Sequence, residues 1–299
     1  MSKLLGIFFG IISAVSYGTN PLFGVRLIRD GFPVDSMIFW RFAGAALVLF
    51  PIACAASKGK MGLTKTQLLW CALLGFLFAV SGETLFWAFT VMSAGVASTL
   101  LFFYPIFVAL IMAVFFGEKV GKTVIAAIIL STIGVAFLSL DESESTFDLL
   151  GAFFIMLSAL SYAVYMVIIK VTSAAKLDSL KLTFYALAFA SAAAFAKAAL
   201  SGGLRLPVGD VQIENVAGLI IFPTAVSITA IAYSIKYAGP TIAAILGALE
   251  PVTAVAVSVF FLGEGFSPNL AVGIALIIIA VAIITLGEDK PRKCGKIKE

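Results

Sequence analysis

LLGIFFGIISAVSY (residues 4–17) and LLGAFFIMLSALSY (residues 149–162) align without a gap, and nine of the fourteen positions are identical. A second pair keeps the same period. YPIFVALIMAVFFGE (104–118) matches EPVTAVAVSVFFLGE (250–264), with equal spacing from proline to Gly-Glu and a tyrosine where the later copy has a glutamate. Asp35-Ser36 recurs as Asp178-Ser179, and MSAGVAS (92–98) faces YAGPTIAA (237–244). One plan is written twice: a first repeat over 3–140, a second over 149–287, the loop DESESTFD (141–148) between them, and a basic tail at 288–299.

The repeated plan is apolar throughout. Of 299 residues 62% are hydrophobic and 12% charged, with a mean hydropathy of +1.13, where soluble domains carry about a quarter charged residues. Apolar runs near 20 residues recur along the chain, each long enough to cross a hydrocarbon layer of about 30 Å as helix. No strand-type alternation accompanies them, so an outer-membrane barrel is not expected. The expectation is an all-α polytopic membrane protein of ten spans: 3–26, 33–56, 68–91, 94–116, 122–140, 149–171, 180–201, 215–237, 240–262 and 268–287. Because the first span is duplicated inside the chain, it reads as a retained helix and not as a cleaved leader.

Lysine and arginine counts set the expected orientation. With the N-terminus inside, the inside segments hold fifteen such residues and the outside loops only Arg26, Arg29 and Arg205. Both termini are then cytoplasmic. Five spans per repeat is an odd number, so the second half enters the membrane inverted relative to the first, an architecture shared by many secondary transporters.

Several functions are excluded or disfavoured by what the chain lacks. There is no histidine, and the three cysteines show no metal or disulfide spacing, so no metal site or cofactor is expected. The net charge of +4 follows from topology and calls for no nucleic acid. GEKVGKT (117–123) has three residues between its glycines where a phosphate-binding loop needs four, and no strand precedes it. Without a catalytic constellation, an enzyme is not expected.

Ten helices in two five-helix repeats, a "P…FFGE" end to the fourth and an "EP…FFLGE" ninth helix resemble the EamA family of the drug/metabolite transporter superfamily over residues 4–287. The resemblance implies export of small metabolites, amino acids among them, across a bacterial inner membrane through a central cavity. It also lends some weight to Arg41, since an arginine early in the second helix is common in that family.

An ionisable group deep in the bilayer costs about 3 kcal/mol on insertion scales and is a functional candidate by default. Glu83 lies about 15 residues into the third span and Glu250 about ten into the ninth. A carboxyl shielded from water can carry a proton near neutral pH, so both are candidates for coupling. Glu250 has a structural alternative, satisfying carbonyls freed by Pro251. Helical spacing gives two polar-aromatic stripes: Glu83, Trp87 and Thr90 on the third span, and Thr229, Tyr233 and Lys236 on the eighth. Stripes on the first and sixth spans carry Tyr17 and Asn20, and Tyr162 and Tyr165. Tyr17, Asn20, Trp87, Tyr104, Tyr162, Tyr165, Tyr233 and the two acids are therefore the expected solute-lining residues. Serines on the same faces suit helix packing.

Arg41 matches the depth of Glu83 and could pair with it or snorkel outward, as Lys197 would. Pro105 and Pro251 are candidate hinges, or static kinks. The expected partners are a small solute, the bilayer and protons, in a monomer or weak homodimer. The alternative function is exchange of phosphorylated or other anionic metabolites, although Arg41 is essentially the only deep cation.

Overall fold

The computed structural model describes residues 2–91, 97, 100–138, 148–262 and 266–286. Most of the MSAGVAS match, most of the DESESTFD loop, Glu264, Cys294 and the basic tail lie outside these residues. The described elements are all helical: α1 (Ser2–Tyr17), α2 (Asn20–Arg29), α3 (Val34–Ala56), α4 (Lys65–Ala88), α5 (Tyr104–Phe116), α6 (Lys122–Leu138), α7 (Leu149–Val171), α8 (Ser179–Leu200), α9 (Gly209–Ile220), α10 (Ser227–Ala238), α11 (Pro240–Leu246), α12 (Leu249–Leu262) and α13 (Pro268–Leu286). Among the described residues seven helical stretches are long and apolar enough to cross a membrane, and three shorter apolar helices stand where the fourth, fifth and tenth spans were expected.

The surface explains why the chain needs a bilayer. Leu47, Leu69 and Phe115 expose 75%, 70% and 75% of their area, whereas Ser13, Ser158, Thr224, Ser227 and Arg41 are almost completely enclosed. Apolar groups outside and polar groups inside is the arrangement that hydrocarbon solvent rewards.

Among the described residues the first, eighth and ninth expected spans are interrupted, and a turn at residues 102–103 precedes α5 in the fourth. The first breaks at Gly18–Thr19 between α1 and α2, and Pro21 opens α2. The ninth breaks at Gly247–Ala248 between α11 and α12. A π-helical turn, Ile221–Val226, joins α9 to α10 around Pro223. Pro105 and Pro251 both fall in the first turn of a helix, α5 and α12, where a missing N–H costs nothing because that donor has no intrahelical acceptor. These prolines begin helical segments and do not kink continuous ones.

The halves pack about a pseudo-two-fold relation. Helices α3 and α8, equivalent in the repeat, lie side by side and antiparallel. Lys197 Nζ is 2.8 Å from Asp35 Oδ1, Phe39 is 5.8 Å from Phe195 between ring centroids, and Phe50 is 5.2 Å from Phe184. Equivalent helices that run antiparallel mean inverted halves. Two seams repeat the relation. Ser13 donates to the Ser227 carbonyl at 3.0 Å, joining α1 to α10, and Ser158 donates to the Ser81 carbonyl at 2.8 Å, joining α7 to α4.

Segments predicted to share a side of the membrane do meet. At one end Lys181 donates to the Lys60 and Gly62 carbonyls (2.9 and 2.7 Å), and Tyr185 donates to Met61 O at 2.7 Å. At the other, Trp40 donates to the Arg205 carbonyl at 2.8 Å and Gln212 to Asp30 at 2.7 Å.

Candidate functional site

The breaks in the first and ninth spans come together. A methyl group on Gly18 would lie 2.4 Å from the Glu250 carbonyl and 2.6 Å from Thr253 Cβ, so only glycine lets the two backbones approach. Where they meet, with the start of α5 alongside, the protein leaves a narrow cleft lined by Tyr17, Gly18, Asn20, Pro21, Leu85, Phe89, Leu101, Phe102, Tyr104, Glu250, Pro251 and Ala254.

Two pairs of repeat-equivalent residues touch here. Tyr104 donates its hydroxyl to Glu250 Oε1 at 3.3 Å. Tyr17 stacks on Tyr162, with centroids 6.2 Å apart and planes 9° from parallel. Equivalent positions can contact one another only near the axis that relates the halves, so the cleft lies on that axis. Tyr162 also meets Tyr104 edge-on at 5.1 Å and stacks with Tyr165 at 6.0 Å, and Phe78 closes the cluster against Tyr165 at 5.4 Å. Tyr104 has no room to retreat, because a methyl on Gly247 would lie 1.5 Å from its hydroxyl oxygen.

Asn20, the first residue of α2, is 2% exposed, and neither its amide nitrogen nor its amide oxygen has a hydrogen-bond partner. A buried amide without partners forgoes about 1–3 kcal/mol. A second cleft lies at the opposite end between α7, α8 and α10, with Lys170 and Lys236 on its wall. Tyr165 is about one helical turn from Ile169 of that wall, so the tyrosine stack stands between the two clefts.

This arrangement has counterparts among known proteins. The pattern of the EamA-like transporter family matches the chain twice, over residues 4–140 and 149–286. The chain belongs to that family. An "Uncharacterized transporter" of Archaeoglobus fulgidus is 30% identical over 242 residues, 81% of this chain and 82% of that protein. YdfC of Bacillus subtilis, another "Uncharacterized transporter", is 28% identical over 145 residues, 48% of this chain and 47% of its own. A crystal structure that is 18% identical superimposes with a TM-score of 0.81 over 94% of this chain and 96% of that one, which shows a shared fold. The protein is thus a multi-pass membrane transporter built from two EamA repeats.

Not every expected residue reaches the axis. Tyr17, Asn20, Tyr104 and Glu250 line the cleft, with Tyr162 and Tyr165 stacked behind them. Trp87 and Tyr233 fall elsewhere. Trp87 packs on Phe154 at 4.5 Å and Tyr233 on Phe9 at 4.9 Å, two repeat-equivalent contacts that make seams of the EamA repeats and not a cavity lining.

Glu83 does not pair with Arg41. It bonds Lys197, which also holds Asp35, in a cluster joining α3, α4 and α8 near one end of the bundle. Lys197 is therefore engaged by two carboxylates and does not simply snorkel. Among the described residues Arg41 pairs with no acid, and it does not reach outward: it is 0% exposed. Its Nε donates to Thr224 Oγ1 at 2.7 Å and its Nη2 to the Pro223 carbonyl at 3.4 Å, both in the π-helical turn. Thr224, Gly247 and Phe78 escaped the sequence reading, since none has an equivalent in the other EamA repeat that would draw the eye.

Proposed function

We propose that the protein is a secondary transporter that carries small amphipathic organic solutes, amino acids foremost, out of the cell across a bacterial inner membrane. Transport occurs by alternating access, with the solute held in the cleft on the repeat axis. The observation that carries this reading is the contact between Tyr104 and Glu250, one equivalent residue from each repeat, at the junction of broken helices. An interrupted helix at such an axis offers polar backbone and side-chain groups to a solute without exposing them to lipid. Two clefts facing opposite ends, with the tyrosine stack between them, suit a path that is never open to both sides at once.

Inverted halves can exchange conformations, and the exchange moves the opening from one face to the other. Pro105, after the turn at residues 102–103, and Pro251, after the break at Gly247–Ala248, are where the helical segments would pivot. Glu250 is the group that would take up a proton or meet the solute's donor end. Glu83 is the second candidate, from a position outside the cleft.

The test is counterflow of pooled labelled amino acids into proteoliposomes, with and without an imposed pH gradient. Wild type is compared with Glu250→Gln, Tyr104→Phe and Glu83→Gln. The expected result is gradient-driven uptake that Glu250→Gln lowers at least about tenfold, as loss of a central polar anchor does elsewhere, while Glu83→Gln retains it. Uptake untouched by Glu250→Gln would remove that residue from the mechanism. Failure of every amino acid to move would end the amino-acid assignment.

A further inference from the structure

A fully buried guanidinium normally has a carboxylate beside it. Arg41 has none. Among the described residues the ion pairs all belong to Lys197, and Arg41 keeps company with aromatic rings instead. Its Cζ lies 5.7 Å from the Tyr17 centroid, 5.5 Å from Phe42 and 5.6 Å from Phe86. Two of its nitrogens are engaged by the π-helical turn, and the third, Nη1, is buried with no partner. Cation–π contacts are worth about 2 kcal/mol when desolvated. Enclosing an unneutralised charge costs several kcal/mol. Among the described residues the guanidinium therefore has no carboxylate beside it and one nitrogen without a close acceptor.

The shortfall lies one ring away from the cleft. Tyr17 lines the cleft and carries the Arg41 guanidinium over its ring, and its hydroxyl is within reach of both the Arg41 guanidinium and the Asn20 amide. Asn20, on the same wall, has both amide atoms unpartnered. Three polar atoms with no close hydrogen bond, one of them cationic, thus lie around the Tyr17 side chain.

We propose that Arg41 is the anion subsite of the cleft: a solute carboxylate reaches past the Tyr17 ring to Nη1 and is completed by the Asn20 amide. This rests on the reading of the cleft as the solute site. A carboxylate matches the planar guanidinium fork, and its single charge balances the single uncompensated cation. A phosphate dianion would leave one charge unmatched in a low-dielectric site. Glu250, on the same cleft, receives the solute's amine or other donor, so the favoured solute carries its acid and its donor at opposite edges of a small apolar body.

The experiment is thermal unfolding of the purified full chain in neutral detergent, titrated with phenylalanine against phenylalaninamide and with hexanoate against hexanamide. Each acid should stabilise the wild type with an apparent affinity at least about tenfold above that of its amide. Arg41→Gln should abolish that preference, and its effect on the unfolding temperature of the empty protein sets the lost bonds to the π-helical turn against the relief of a buried charge. Arg41→Lys, which keeps the charge but loses the fork, should retain part of the preference.

Equal response to acids and amides in the wild type overturns the proposal. So does an Arg41→Gln protein that melts lower yet still prefers acids, which is how a purely structural arginine behaves. If Arg41→Gln does not fold, the wild-type and Arg41→Lys titrations decide alone. The transport reading stands or falls separately. Acid-selective binding without counterflow would sink transport and keep the subsite, whereas counterflow of acids and amides alike would do the reverse.

Discussion

A hydrogen atom is the largest substituent that position 247 tolerates, with Tyr104 Oη 1.5 Å from where a methyl would sit. Gly247→Ala must push the tyrosine off Glu250. Overpacking of this kind costs about 1–3 kcal/mol. Counterflow should fall to the level of Tyr104→Phe, and the double variant should be no worse than either single one. Additive losses in proteoliposomes would show that Gly247 acts elsewhere. Asn20→Leu should move stability and function in opposite directions. Losing an unpartnered buried amide should raise the unfolding free energy by about 1 kcal/mol, while solute affinity drops; an unchanged affinity would take Asn20 out of the site. The contact of Tyr104 with Glu250 could be read in the chain because the repeat sets them opposite one another and they differ. Gly247 could not, since its reason is a side chain 143 positions earlier.

Helix ends and interruptions decide where those residues stand. Thr64 and Gln67 form a reciprocal cap, with bonds of 3.2 and 3.1 Å, that starts α4 at Lys65. That is three residues before the expected start of the third span. The helix then ends at Ala88, which leaves Glu83 five residues from its end and beside Lys197, not at mid-depth. Apolar periodicity is blind to such an offset, whereas the capping pattern T-K-T-Q was there to be read. The π-helical turn was equally hidden, because Pro223 has no counterpart in the first repeat. Its Thr224 hydroxyl donates to the Leu219 carbonyl at 2.6 Å while accepting from Arg41. Thr224→Val should therefore cost about 1.5–3 kcal/mol, the range for hydrogen bonds to charged groups, read as a lower unfolding temperature in detergent. A loss below about 0.5 kcal/mol would mean that the turn holds Arg41 by its carbonyl alone.

At the scale of the whole molecule, the inverted repeat makes a quantitative demand. Ser13 with Ser227 and Ser158 with Ser81 are the same seam seen twice. Ser13→Ala and Ser158→Ala should each cost about 0.6 kcal/mol, the average for interhelical hydrogen bonds in membranes, and should agree within about 0.5 kcal/mol. Markedly unequal losses in parallel unfolding titrations would mean that the halves are not equivalently packed. The inverted plan was legible from span counting and self-similarity alone. Its interruptions were not, because a broken helix and a continuous one have the same hydropathy. The axis contacts carry a historical consequence. An ancestor assembled from two identical five-helix chains would have met itself at the position before the proline, acid against acid or phenol against phenol. Two facing carboxylates at that depth repel unless one is neutralised. Tyrosine opposite glutamate requires two different sequences, so this chain can make its axis chemically lopsided where a symmetric pair of identical chains could not.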